Sequence, residues 1–429
     1  MKKQILFRLL LALLLLGLPN SICAQESKSN TINESIRLET DRIFDKLVQI
    51  RRNFHQNPEL AGKEIHTQQT IKKYLQDLGL QVETDAYGYG VVGILKGNQK
   101  GKNIAWRADM DALPNDFPDK ADFKSKVQGV QHGCGHDVHL AIALGVAEVL
   151  SAHKNELHGT AYFIFQPEEE TFAGAKNMIQ KGWIDRYKID EIYALHVTAT
   201  PVGQIMVKSN ELFAYQKELH MAFQTALTEE EVQQLSAKIK QLLVRTSNGS
   251  KPWEIQSMVD PAIGLASPNT IFADYCIAEE HFRAYPKDGA FYIDAEVYET
   301  DAARLKEIIP AVKRLIQEQG YGSRLLSVSF IKQNPTVQND PKLTQAAIDF
   351  LDRLYGKGFV VSSYGQVPYF NDDFAYFQQK IPGVYFFLGG SNFNQGIIAM
   401  NHAPNFEVDE SCIRTGVGAF SSLLFDRLK

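Results

Sequence analysis

The sequence predicts an α/β protein: a main domain with a largely parallel central sheet flanked by helices, interrupted by a smaller inserted α+β lid. Three observations predict it. The chain has 429 residues, more than one hydrophobic core usually serves, so two domains are expected. Apolar runs of strand length alternate with helix-periodic segments on both flanks of the chain, as in a parallel sheet covered by helices. Between residues 209 and 331 the texture shifts to alternating, half-exposed strands and strongly amphipathic helices.

Taken in order, residues 1–24 read as an export signal. Lys2 and Lys3 precede an apolar run from Ile5 to Leu18 broken only by Arg8, and Pro19 to Ala24 supplies the cleavage region, with the cut after Ala24. The run is short for a bilayer span of about 20 residues, and the bulky Ile22 argues against lipid attachment at Cys23. A periplasmic or secreted chain with no stable membrane span after cleavage is therefore expected. Polar residues 25–35 read as a disordered linker. The first part of the main domain is assigned to 36–208. Ile36, Ile43, Leu47 and Ile50 share a helix face up to Asn57, and Pro58 stops it. Thr67–Leu78 reads as a second helix ended by Gly79. Val91–Leu95, Asn103–Arg107, Thr160–Gln166 and Glu191–Val197 read as strands, and Val138–Leu150 as an apolar helix.

The inserted module, 209–331, reads strand, helix, strand, helix, strand: Gln216–Gln224, Thr228–Arg245, Phe291–Tyr298, Asp301–Gln319 and Leu325–Ile331. Thr228 with Glu231 three residues later predicts a capping box. The main domain resumes over 332–429 with a helix at Leu343–Tyr355, a buried strand at Gly383–Leu388 and a last helix at Glu410–Leu428.

Apolar content of 44%, charged content of 22% and a net charge of -5 suit a globular enzyme. They lack the basic face of a nucleic-acid binder. Of four cysteines, Cys23 leaves with the signal. Cys134, Cys276 and Cys412 remain, an odd number that argues against a full disulfide framework. A bridge between Cys276 and Cys412 is left open.

Four segments carry chemistry. Asn103–Asp111 is a strand ending in Asp109 and Asp111. His132–Asp137 (His-Gly-Cys-Gly-His-Asp) opens a helix. Phe163–Glu170 runs from an apolar strand into Glu168, Glu169 and Glu170. Tyr193–Val197 carries His196. Ligands of open parallel sheets bind beyond the carboxyl ends of the strands, which would gather these groups in one cleft. A thiolate, imidazoles and carboxylates together suit zinc, and with more oxygen donors manganese or cobalt. So many donors exceed one tetrahedral shell, and two divalent ions use them better. His139 reads as a packing or supporting residue, and His55, His66, His153 and His158 as surface or cap residues. A Gly-x-Ser-x-Gly elbow is absent, which disfavours a serine nucleophile.

As an ordered set these motifs resemble the metal-dependent aminoacylase and carboxypeptidase family, in the branch of hippurate hydrolases, auxin-conjugate hydrolases and N-acetyl-diaminopimelate deacetylases. The resemblance also takes in Arg51–Leu60, Arg107–Pro114, Asn371–Phe377 and Asn401–Phe406. It implies that Cys134, His136, Glu170, His196 and His402 hold the metals. It implies that Glu169 is the general base for water, and that Asp109 and Asp111, with Asp373, orient ligands from behind. It implies hydrolysis of a small N-acyl amino acid or peptide, and a homodimer through the lid. The alternatives are a non-catalytic metal-binding relative and a single-metal deacetylase. The lid departs from the family pattern. His220–Leu227 runs straight into the Thr228 helix where a glycine- and histidine-containing segment is expected, and Glu296 and Tyr298 stand where an arginine is. His220 and His281, the lid's histidines, read as structural. Glu168, where a small residue is usual, and Trp106 depart as well.

Overall fold

The computed structural model describes residues 18–429. The basic start and most of the apolar run read as an export signal lie outside those residues. The described chain begins with helix α1, Leu18–Gln56, which passes unbroken through 25–35. The linker expected there is instead helical. Ile36, Ile43 and Leu47 are fully buried and fix the following turns. Extending an existing helix backward adds one hydrogen bond per ordered residue and needs no new nucleus. Glu34 and Arg37 pair at 2.6 Å on this stretch.

Helix α2 is Ile65–Asp77. Strands β1 (Gln81–Glu83), β2 (Val91–Lys96) and β3 (Gln99–Asp109) lead to α3 (His136–Ala152), then β4 (His158–Gln166), the short helices α4 (Gly174–Gln180) and α5 (Trp183–Tyr187), β5 (Glu191–Pro201), β6 (Ile205–Val207) and β7 (Asn210–Glu211). After the lid come β14 (Gln338–Asn339), α8 (Pro341–Tyr355), β15 (Val360–Ser362), α9 (Phe374–Gln378), β16 (Gly383–Ser391) and α10 (Ser411–Arg427). Eight strands form one sheet in the order β1-β2-β4-β3-β5-β16-β6-β15. Its centre, β4-β3-β5-β16, is parallel. β2 and β6 join that centre antiparallel.

Period-two alternation divides the strands between two cores. Ile104, Trp106, Phe163, Phe165, Leu195 and Phe386 face α1, α3 and α10. Ala105, Tyr162, Ile164, Ala194 and Tyr385 face the opposite core. A sheet covered on both faces explains why its strands read as continuous apolar runs. Trp106 packs on Phe420 with centroids 4.8 Å apart.

The lid has its own antiparallel sheet, from β8 (Tyr215–Phe223) to β13 (Leu325–Lys332), in the order β13-β8-β12-β10-β9 with β11 against β12. β9 (Arg245–Thr246), β10 (Tyr275–Ala278) and β11 (Arg283–Lys287) were not expected, and β12 is Ala290–Glu299. Helices α6 (Glu229–Leu243) and α7 (Ala302–Glu318) cover it, with Leu219, Met221, Ile239, Ile293, Val312 and Ile316 between. The capping box forms: the Thr228 hydroxyl accepts from the Glu231 N–H at 3.2 Å, and the Glu231 carboxylate from the Thr228 N–H at 2.8 Å. The two-stranded ribbon β7·β14 ties the entry and exit chains of the lid together. Cys276 sits in the lid core and Cys412 in the main core, both as free thiols. Among the described residues no helix is long and apolar enough to cross a membrane.

Candidate active site

Asp109 and Gln166 are register partners at the carboxyl ends of β3 and β4, and His196 lies toward that end of β5 opposite Phe387. The Gly133–Gly135 turn enters the same edge. Gly135 has φ +98°, and a Cβ there would stand 2.3 Å from Val197 Cγ1. Only glycine allows both the left-handed turn and the close approach of Cys134 and His136 to β5. Gly135→Ala should therefore cost more than about 2 kcal/mol in a urea unfolding titration, combining left-handed strain with a clash. A loss well under about 1 kcal/mol would contradict this account of the turn.

All five expected ligands and the expected base come together. Cys134 Sγ lies 3.3 Å from His196 Nε2 and 3.1 Å from His402 Nε2. His402 Nε2 is 3.4 Å from Glu170 Oε1. His136 Nε2 is 3.8 Å from carboxylate oxygens of Glu169, Glu170 and Asp109. Cys134, His136 and His196 form one close donor triad, Cys134, Glu170 and His402 another, and His136, Glu169 and Glu170 a third. The site opens into a cavity of about 320 Å³ that Cys134, Glu169, Glu170, His196 and His402 line.

The donor set fits divalent cations. His136 Nε2 and Glu170 Oε1 are buried with no hydrogen-bond partner, which is costly unless something else satisfies them. Burial, reinforced by Glu170, Glu169 and Asp109, pushes the Cys134 thiol well up. Burial, with Asp372, Glu170 and Asp373, holds Glu169 well above the carboxylate range. Burial alone would depress His136, but Asp109 and Glu170 raise it to about 9. Burial and the crowding of carboxylates thus act together on these groups, and cations placed among the donors would offset both.

Carboxylates behind the cluster hold its backbone and imidazoles. Asp111 accepts the N–H groups of Glu169 and Glu170, both at 3.0 Å, and so shapes the turn that presents them. The carbonyl of Asp111 lies 2.8 Å from His136 Nδ1, which leaves Nε2 facing the cluster. Asp109 lies 2.6 Å from His139 Nδ1, and the other nitrogen of His139 accepts the Val197 N–H at 2.9 Å. His139 thus braces β5 beside His196. Asp373 accepts from Gln166 Nε2 at 2.7 Å. Beneath them Arg107, fully buried, reaches Asp109 at 2.5 Å and both Asp372 and Asp373 at 3.0 Å.

Three further residues bear on the site. Glu168 turns away from the cluster: it has φ +56° and accepts from the Tyr87 hydroxyl at 3.0 Å. His55, read as a surface or cap residue, stands in the last turn of α1 and is buried between Asp137 at 2.8 Å and Asp119 at 2.9 Å. Asn401 was not singled out by sequence, yet its amide donates to the carbonyls of Cys134 at 2.8 Å and Val197 at 3.1 Å, clamping two ligand-bearing segments. His402 beside it adopts φ +59°, and its N–H donates to the Gly133 carbonyl at 3.0 Å. A left-handed non-glycine residue held this way is a common device of functional loops.

This arrangement defines a class: a peptidase-type hydrolase built on an α/β sheet with the donors of a metal centre at its carboxyl edge. The chain belongs to peptidase family M20/M25/M40, whose model matches residues 105–426. It is 32% identical over 416 residues to thermostable carboxypeptidase 2 of Saccharolobus solfataricus, covering 91% of this chain and 97% of that one. It is 29% identical to the IAA-amino acid hydrolase ILR1-like 5 of Arabidopsis thaliana, over 96% of this chain and 94% of the relative. Among solved structures it is similar to the Bacillus subtilis YXEP protein, described as a dinuclear metal binding peptidase. The TM-score is 0.72 at 26% identity, with 90% of this chain and 99% of that one covered.

Proposed function

We propose that the protein hydrolyses the amide bond of a small N-acyl amino acid or peptide, with two divalent ions held by Cys134, His136, Glu170, His196 and His402 and with Glu169 as the base. The observation that carries this is the convergence of those six side chains in one cluster, five of them lining one cavity, with the buried His136 Nε2 and Glu170 Oε1 lacking partners. Family membership and carboxypeptidase and amino-acid-conjugate hydrolase relatives support the substrate class.

When bound, the ions supply Lewis acidity at the scissile carbonyl. Glu169 lines the cavity and takes the proton of the attacking water as its oxygen joins the carbonyl carbon. As the C–N bond breaks, Glu169 returns that proton to the departing nitrogen. Asp111 and Asp109 hold the donor geometry throughout. A set with one sulfur, imidazoles and carboxylates suits zinc, manganese or cobalt.

The test is reconstitution. Protein stripped by chelator and reloaded separately with each of the three metals should bind two ions per chain by elemental analysis. It should regain release of free amino acid from N-acyl amino acids or dipeptides. One ion per chain would favour the single-metal alternative, and two ions without turnover the non-catalytic one. The basic and apolar start of the sequence further supports export. N-terminal sequencing of the mature protein should then begin at Gln25, and an uncleaved chain in the cytoplasm would refute it.

A further inference from the structure

We propose that Lys332, seconded by Asn334, binds the substrate's free carboxylate, and that the cavity facing it selects an apolar body for that substrate. This rests on the hydrolase reading above and deepens it.

Among the residues lining the cavity, Lys332 is the one lysine or arginine. The lining carboxylates are Glu169 and Glu170, and the lining histidines, His196 and His402, belong to the donor cluster, so a substrate anion finds a lysine or arginine of the protein only at Lys332. It closes β13, where a register shift between Phe330 and Lys332 interrupts the pairing with β8. Bulges of this kind re-aim a side chain. The ammonium is steadied by Glu296 at 3.4 Å, longer than the 2.7–2.9 Å of a tight ionic hydrogen bond. Glu296 is itself shared: Tyr298 donates to it, and Gln216 Nε2 lies 3.4 Å away. An ammonium has three donors, so this loose tether leaves Lys332 able to take a second carboxylate.

Asn334 is oriented for the same task. The Tyr376 hydroxyl donates to Asn334 Oδ1 at 3.1 Å, and Lys217 Nζ holds the Asn334 backbone carbonyl at 2.9 Å. With its oxygen engaged, the side-chain amide has its N–H groups left to offer, and Asn334 lines the cavity. An apolar part of the wall is built by Phe213, Met258, Leu265, Val367, Phe370 and Phe387, with polar side chains such as Gln216 and Asn371 beside it. Met258 and Leu265 come from the long connection between β9 and β10, so the lid itself builds part of this surface. The cavity therefore matches an N-acyl amino acid with a terminal carboxylate and an apolar acyl group or side chain.

The experiment compares wild type, K332M, K332R and E296Q, all metal-loaded. The substrates are N-benzoyl-leucine and its carboxamide, and amine release is followed by chromatography. N-tosyl-leucine, a sulfonamide that cannot be cleaved this way, and its carboxamide are titrated by calorimetry. K332M should lose roughly tenfold to a hundredfold in kcat/KM for the carboxylate, through KM, as expected for removing a charged hydrogen-bond partner. Its rate on the carboxamide should stay within about twofold, a change too small for a lost contact. K332R should retain most of the preference, and E296Q should bind the carboxylate at least as tightly as wild type. An unchanged carboxylate-to-carboxamide ratio in K332M, or an E296Q variant that loses carboxylate binding, would overturn the proposal. If wild type cleaves neither substrate, the hydrolase reading fails on its own. The tosyl-leucine titration still decides Lys332: tighter binding of the acid than of the carboxamide, abolished in K332M, supports it.

Discussion

Glu169→Gln should lower kcat by roughly a hundredfold to ten-thousandfold, the usual reach of a positioned acid–base group, while both metal ions stay bound. Glutamine keeps the shape of the side chain, and the backbone N–H of residue 169 can still donate to Asp111. What disappears is the ability to take and return a proton. Glu170→Gln offers the contrast. Its Oε1 stands near both His136 and His402, so this variant should lose metal as well as turnover. Elemental analysis beside steady-state kinetics separates the two. A Glu169→Gln protein with wild-type turnover, or one stripped of metal, would reassign the base.

Arg107→Met should destabilise the protein by about 3–5 kcal/mol, the range for removing one partner of a buried ionic network. The guanidinium is fully buried among Asp109, Asp372 and Asp373, and it also donates to Gln166 at 2.8 Å. Without it three buried carboxylates face one another. Two of them also help shape the cluster, through His139 and through the turn after Gln166. Metal affinity should fall with stability. Urea midpoints of the metal-free and metal-loaded forms measure both. A shift under about 1 kcal/mol would mean that the network relaxes by taking up protons or water.

The main sheet was legible because its strands are buried on both faces and read as long apolar runs. The donor cluster was legible because the apolar strands β3 and β4 run into carboxylates, β5 carries a histidine within an apolar run, and a Cys-Gly-His turn opens α3. β6 and β15 were missed because three residues cannot display a period. β11 carries Pro286, which masks a strand in sequence. His402 was legible only through family order: its loop looks like any polar turn, and its partner Cys134 lies far away in sequence. Asn401 and the buried bracing of His55 depend wholly on tertiary contacts, and nothing local marks them. The helical stretch before Ile36 was misread because its composition is polar, whereas its structure is inherited from the buried turns that follow.

The seam between β5 and β16 sets Ile192 opposite Gly383, with the whole lid and two further helices spelled out between them. A chain emerging from the ribosome can fold the lid, whose strands pair among themselves, well before that seam can close. The central sheet must wait with one edge of β5 open, and apolar edges left waiting invite misassociation. His402 arrives later still. A chain ending between residues 392 and 401 would therefore carry all eight strands of the main sheet but neither His402 nor α10, and slow refolding in vitro should track this long-range closure.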